Sequence, residues 1–176
     1  MEFILIVIVL ILVYLVMMHN GIVHAEMKVE EARSGIDVAL AKRYAILTNM
    51  QESVKGYVKH ESEVLLHIIE IRRTMSVQQL SEANEQMNQL KSRLIAIAES
   101  YPDLKASDLF RKFQAAIVDC EEHLQAARRF YNSNVTLYNE KLLMFPTSVM
   151  ASWMKKEKAE FFEADLDEKE FVSVKI

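Results

Sequence analysis

Hydrophobic and polar positions divide the chain into an apolar N-terminal run and a long remainder with a helical pattern. The run FILIVIVLILVYLVMM covers residues 3–18 and contains no charged residue. With His19, Asn20 and the apolar residues up to Val23 it reaches about 21 residues, roughly 31 Å of helix, which is enough to cross a bilayer. The pattern therefore predicts a transmembrane anchor at residues 1–23, with the lipid bilayer as its partner.

Two alternative interpretations of the run are less well supported. A cleavable signal peptide has a basic start, a shorter apolar stretch and an A-x-A-like cleavage site. Here only Met1 and Glu2 precede the run, and no such triplet follows it directly. A buried core helix is disfavoured because no other part of the chain is apolar enough to surround it.

Basic residues indicate the orientation of the anchor. None precedes the span, whereas Lys28, Arg33, Lys42 and Arg43 follow it within about 20 residues. The positive-inside tendency then places the short N-terminus outside and the C-terminal domain in the cytoplasm.

Beyond the anchor, apolar residues recur at spacings of three and four, which is typical of helices. The pattern predicts helices over about 22–47, 50–74, 77–100 and 106–145, with the apolar seam of the first passing through Tyr44. A break is expected at Thr48-Asn49, whose side chains can cap a new helix. Only three glycines and two prolines occur in 176 residues, which favours long helices over sheets.

The predicted fold class is all-α: a single transmembrane helix followed by an elongated antiparallel four-helix bundle over residues 24–146. The regular three-four alternation of the last long helix is typical of bundles and coiled coils. Residues 147–176 are expected to form a short amphipathic segment, 147–156, and an acidic tail. We expect the segment to fold back onto the bundle; the alternative is contact with the membrane surface through Trp153, Met154, Lys155 and Lys156.

Polar side chains interrupt the apolar seams of two predicted helices. Because a buried charge is costly unless it is paired, opposite charges on facing helices should meet. We interpret these side chains as structural polar layers that fix helix register, and a ligand or partner site is the alternative. The residues are Glu61, Arg72, Glu121, Arg128, Asn132 and Asn139.

The motifs of common enzyme classes are absent from the sequence. There is no Glu-x-x-His of the kind found in di-iron bundles. His60-Glu61 begins like a zinc-protease motif, but Val64 occupies the position of the second histidine. The single cysteine, Cys120, lies within a helical pattern and is expected to be a small packed side chain. We expect no catalytic residue, no metal and no cofactor, and the net charge of −4 disfavours nucleic acid as a partner.

Two blocks of residues resemble the LemA family. The first contains Asn20, Val23, ARSGIDV at 32–38, Leu40, Arg43, Leu47, Asn49, VKGY at 54–57, and His60-Glu61. The second contains YPDLKA at 101–106, Phe110, Gln114, Glu121, ARRFYN at 127–132, Val135, Tyr138-Asn139 and Phe145-Pro146. Thr48 stands where the family usually has proline, and Glu122 replaces an expected asparagine.

The resemblance implies a single-pass protein of the bacterial inner membrane, with a long antiparallel helical bundle facing the cytoplasm. It does not imply an enzymatic activity. We therefore expect a membrane-anchored helical scaffold that forms homo-oligomers or presents a helical surface to membrane-protein partners. The alternative is a lipid-contacting or membrane-remodelling protein, and an enzyme built on the bundle is a remote third interpretation.

Overall fold

The computed structural model describes residues 1–57 and 74–162. Every regular element in these two ranges is a helix, and no strand occurs in them. The all-helical fold class and the single long apolar helix at the N-terminus are thus confirmed. In chain order the helices are α1 (Glu2–Lys55), α2 (Val77–Ser100), α3 (Pro102–Lys105), α4 (Asp108–Leu143) and α5 (Thr147–Trp153).

Helix α1 is 54 residues long and begins with the apolar run. The side chains from Phe3 to Met17 are all exposed, by 38% to 78%. Hydrocarbon rather than water suits such a surface, because exposed apolar area is unfavourable in water. In the described part of the chain, α1 alone is long and apolar enough to be a candidate membrane span.

The predicted break at Thr48-Asn49 is wrong, because α1 continues through these residues to Lys55. Leu47, Met50 and Val54 are fully buried and continue the helical spacing across the expected corner. This burial outweighs the weak local preference of Thr48 and Asn49 for caps. Most of the second helix expected at 50–74 falls on residues 58–73, which lie outside the described residues, as do Glu61 and Arg72.

Helix α2 has the bounds that the sequence predicts. Ser76 and Gln79 form a capping box at its start: Gln79 N donates to Ser76 Oγ (3.2 Å), and Ser76 N donates to Gln79 Oε1 (2.8 Å). Leu80, Met87, Leu90 and Leu94 form its buried stripe. It ends at Ser100, because Tyr101, the residue before Pro102, avoids the helical region.

Helix α4 lies within two residues of its predicted bounds at each end. Phe110 N donates to Ser107 Oγ at 3.2 Å, which caps the start of the helix. Its buried side chains follow the three-four alternation: Phe110, Ile117, Cys120, Leu124, Arg128, Tyr131, Val135, Tyr138 and Leu142.

The chain forms two compact units. Unit 1 comprises residues 1–34 and 129–161, and unit 2 comprises residues 35–128 and 162–176. The core of unit 1 contains Ile22, Ala25, Tyr138, Leu142 and Ala151. The largest fully buried side chains of unit 2 are Ile36, Leu40, Leu47, Met50, Val54, Leu80, Met87, Leu90, Leu94 and Leu104.

Candidate functional site

A polar cluster centred on Arg43 lies inside unit 2, where only 2% of Arg43 is exposed. Its Nη1 donates to Asn84 Oδ1, and its Nη2 donates to Asn88 Oδ1 at 2.5 Å and to Glu121 Oε1 at 3.2 Å. Lys91 Nζ donates to the same Glu121 oxygen at 2.6 Å. One carboxylate of α4 is therefore shared by a guanidinium of α1 and an ammonium of α2, and such charge-assisted bonds are stronger than neutral ones.

A cavity of about 360 Å³ opens beside this cluster. Its walls carry both charges, from the basic Arg43, Lys91 and Arg128 and the acidic Glu121 and Glu122. No group of three or more His, Cys, Asp or Glu side chains that could hold a metal occurs within 1–57 and 74–162. The lining residues are Arg43, Asn88, Lys91, Ser92, Val118, Glu121, Glu122, Leu124, Gln125 and Arg128.

The structure brings two of the predicted polar-layer residues to this cavity, Glu121 and Arg128. The guanidinium of Arg128 lies 5.0 Å from the ring centroid of Phe162, a cation–π distance. Sequence reasoning missed Arg43 because it traced the seam of α1 through Tyr44, which is only partly buried. The buried face of α1 follows the spacing of Ile36, Leu40, Arg43 and Leu47, and this spacing would have predicted that Arg43 is buried.

A surface pair flanks the buried cluster of unit 2. Lys42 Nζ donates to Asp119 Oδ2 at 2.8 Å, and both side chains are about half exposed. This hydrogen bond lowers the pKa of Asp119 and raises the pKa of Lys42. Cys120, beside Asp119, is buried with its Sγ 3.5 Å from Ala39 O, and burial raises the pKa of its thiol. A protonated, buried thiol is a packed side chain rather than a nucleophile.

In unit 1, Asn139 contacts the segment that follows α5. Its Nδ2 donates to Ala159 O at 3.0 Å, and its Oδ1 accepts from Ala159 N at 2.9 Å. About two turns earlier on α4, Tyr131 Oη donates to Glu160 O at 2.9 Å. Asn132 lies next to Tyr131 on α4 and is partly buried. The side chain of Asn139 thus makes with the backbone of Ala159 the two hydrogen bonds that a neighbouring strand would make.

Helix α5 packs within unit 1, where Ala151 belongs to the core. Met154, one of the predicted membrane contacts, packs against that core. Lys156 Nζ donates to both carboxylate oxygens of Glu26, at 2.8 and 2.6 Å. The hydrogen bond to this carboxylate raises the pKa of Lys156. Lys155 is exposed and has a positive φ of 53°.

An apolar cleft of about 510 Å³ lies in unit 1 between the candidate span and the segment that contains α5. Of the predicted membrane contacts, Trp153 lines this cleft and is 79% exposed. Phe145 and Val149 are also strongly exposed. No local sequence signal places these side chains against the span. The lining residues are Tyr14, Leu15, Met18, Phe145, Pro146, Val149, Met150 and Trp153.

Comparison with known proteins supplies the relationship of the chain. The sequence profile of the LemA family matches residues 32–176. "Protein LemA" of Metamycoplasma hominis is 31% identical over 150 residues, which cover 82% of this chain and 68% of that protein. The name does not denote an enzyme.

Shorter stretches of the chain are similar to magnetosome proteins. "Magnetosome protein MamQ 2" of Paramagnetospirillum magneticum is 27% identical over 71 residues. "Magnetosome protein MamQ" of Magnetospirillum gryphiswaldense is 27% identical over 70 residues. Each match covers 40% of this chain and 26% of the other protein. The profile and the relative from Metamycoplasma hominis together establish that this chain belongs to the LemA family.

Proposed function

We propose that the protein is a membrane-anchored helical scaffold that self-associates through α4. The observation that supports this proposal is a second apolar stripe, made by Phe130 and Leu137 on α4 and by Met144 directly after its end. Each of these side chains is more than half exposed. Their spacing of seven residues puts them on one face, as in the seam of a coiled coil.

The stripe is separate from the face of α4 that packs inside unit 1. That packed face carries Tyr131, Val135, Tyr138 and Leu142, all of which are buried. A row of large exposed apolar side chains on one face supports an interaction site there. A second copy of the chain is the partner that the homo-oligomer prediction favours, and anchoring holds copies in one plane. A helix of another membrane protein would fit the same stripe.

The proposal places the anchor at residues 1–23 in the bacterial inner membrane and the domain 24–146 in the cytoplasm. Lys28, Arg33 and Lys42 support this orientation. We further propose that the domain is an antiparallel four-helix bundle, which the family resemblance and the buried stripes of α2 and α4 support. In this proposal, residues 147–176 are the α5 segment and an acidic tail. No enzymatic activity is part of the proposal.

Site-directed cross-linking in native membranes tests self-association. Cys120→Ala removes the buried native thiol, and Leu137→Cys then places one thiol on the stripe. The matched control is Thr136→Cys, which is exposed but lies about 100° round the helix. We expect oxidation to yield a covalent dimer with Leu137→Cys and little with Thr136→Cys. Equal yields, or monomer in both, would contradict the proposal.

A second measurement separates a specific contact from collision. Leu137→Glu puts a charge on the stripe at an exposed position, so the fold should be retained. The molar mass of the detergent-purified variant, measured by light scattering, should shift toward that of the monomer. Its helical content by circular dichroism should be unchanged. A wild-type protein that is strictly monomeric at every concentration would refute self-association.

A second candidate function is contact with lipid beyond the span. The exposed Phe145, Val149 and Trp153 favour it, because they lie beside the candidate span.

A further inference from the structure

We propose that the apolar cleft between α1 and the α5 segment is a site for an acyl chain of the surrounding phospholipid. We infer also that the membrane surface lies at the level of Gly21, so that Phe145, Val149 and Trp153 enter the bilayer. This inference requires the anchor but not self-association.

The thickness of the bilayer determines how far along α1 the hydrocarbon extends. The exposed apolar stretch from Phe3 to Met17 is 15 residues long, about 22 Å of helix, whereas the hydrocarbon core is about 30 Å thick. Hydrocarbon that begins at Phe3 therefore extends to about residue 22. Yet Met18 and Ile22 are already buried by protein. The protein that covers them must itself lie at hydrocarbon depth.

The position of the cleft along the span places α5 at the depth of the membrane interface. Tyr14, Leu15 and Met18 form its wall on the span. These residues lie about 6 to 12 Å below the level of residue 22, at about 1.5 Å per residue. Helices that lie in a membrane interface bury their apolar face to a similar depth, about 5–10 Å. Helix α5 therefore occupies the interface, with Trp153 where aromatic side chains are enriched.

Charged groups mark the upper limit of this apolar zone. Lys141 Nζ donates to the backbone oxygen of Gly21 at 2.9 Å. One turn further along α1, Lys156 binds the carboxylate of Glu26. Both pairs need water or headgroups nearby, because charges are costly in hydrocarbon. The change from apolar cleft to ammonium groups within about two turns of helix defines the membrane surface.

The occupant follows from the chemistry of the walls. The cleft is lined by apolar side chains and opens beside the span, so filling it with water would be unfavourable. Its volume of about 510 Å³ is in the range of small-molecule sites. At this depth the available apolar molecule is a lipid chain. Exposed Lys155 lies two residues after Trp153, and its ammonium group would suit the phosphate of a lipid headgroup.

Trp153 is the single tryptophan of the chain, so its fluorescence reports on the cleft without labelling. The full-length protein is reconstituted into phospholipid vesicles whose acyl chains carry bromine at shallow positions. We expect Trp153 to lose most of its emission in these vesicles, relative to unbrominated ones, and to resist quenching by aqueous iodide. Quenching by iodide with none by bromine would overturn both the site and the membrane level.

The control moves the reporter along α4. Trp153→Phe with Phe130→Trp places the tryptophan eleven residues before Lys141, about 16 Å from the proposed surface, where bromine should not quench it. Val149→Glu, at an exposed position, should reduce quenching of Trp153 while circular dichroism stays unchanged. If neither bromine nor iodide quenches Trp153 at any ratio of protein to lipid, a second copy of the chain fills the cleft. This result would refute the lipid assignment.

Failure of the anchor gives a different result. A protein that does not float with vesicles at all refutes the membrane-anchored proposal, whereas a floating protein with iodide-accessible Trp153 refutes only the site.

Discussion

Arg43 and Glu121 form an ion pair in unit 2, with 3.2 Å between Nη2 and Oε1. The two partners differ in environment: 3% of the arginine side chain is exposed, against 36% of the glutamate side chain. Arg43 therefore depends on the protein to satisfy its charge, whereas Glu121 retains contact with solvent. The arginine is the member of the cluster whose loss should cost most.

Arg43→Ala is expected to destabilise the protein by about 2–4 kcal/mol, because Asn84, Asn88 and Glu121 lose their shared donor. The exposure of Glu121 keeps the cost below that of a fully buried pair. Urea unfolding of the full-length protein in detergent, followed by circular dichroism, measures the change. Lys42→Ala is the neighbouring control, and since its pair with Asp119 is exposed, the unfolding midpoint should barely move. Equal effects of the two substitutions would show that Arg43 is solvated.

Arg128 and Phe162 should show a coupling of about 0.5–2 kcal/mol in a double-mutant cycle. The cycle compares Arg128→Met, Phe162→Leu and the double variant, since these changes keep most of the apolar volume. Circular dichroism in urea again provides the unfolding free energies. Strict additivity would mean that the guanidinium gains nothing from the ring.

Asn139→Asp should loosen the segment after α5. The carboxylate can still accept from Ala159 N but cannot donate to Ala159 O, which leaves a partly buried carbonyl opposite a negative charge. The loss is about 1–3 kcal/mol, or roughly a five- to 150-fold increase in opening. Cleavage by a glutamate-specific protease at Glu157 and Glu160 should accelerate accordingly. Asn134→Asp, whose amide bonds only within α4, should leave the cleavage rate unchanged.

Stability should fall at alkaline pH, and Cys120 should account for the first part of the fall. Burial raises the pKa of its thiol in the folded state, so the unfolded chain ionises first, above about pH 8.5. The contribution is fully present below that pH and is lost as the pH rises. Burial raises the pKa of Tyr131 and Tyr138 as well, which extends the fall above about pH 10.

Urea midpoints measured from pH 7 upward check this prediction. Cys120→Ala should flatten the curve between about pH 8.5 and 10, where the tyrosines do not yet ionise. A wild-type midpoint that rises over this interval would contradict the assigned sign.

Local signals were sufficient where neighbouring residues decide the structure. The uncharged run up to Met18 predicts the long apolar helix, and Pro102 marks the end of α2. At Asn49 the same kind of signal failed, because buried Leu47, Met50 and Val54 continue the helix and outweigh a cap. Resemblance identified the family, yet it did not indicate that Arg43 is the centre of a polar cluster.

The sequence by itself determined the helical class, the apolar N-terminal run and the bounds of α2 and α4, because helical periodicity and proline act over a few residues. Only the tertiary structure decided which distant side chains meet. Tyr14 and Trp153 line one cleft from opposite ends of the chain, and Asn139 pairs with the backbone of Ala159. Such contacts depend on how helices pack in space, and the spacing of residues along one helix carries no information about the register of the next.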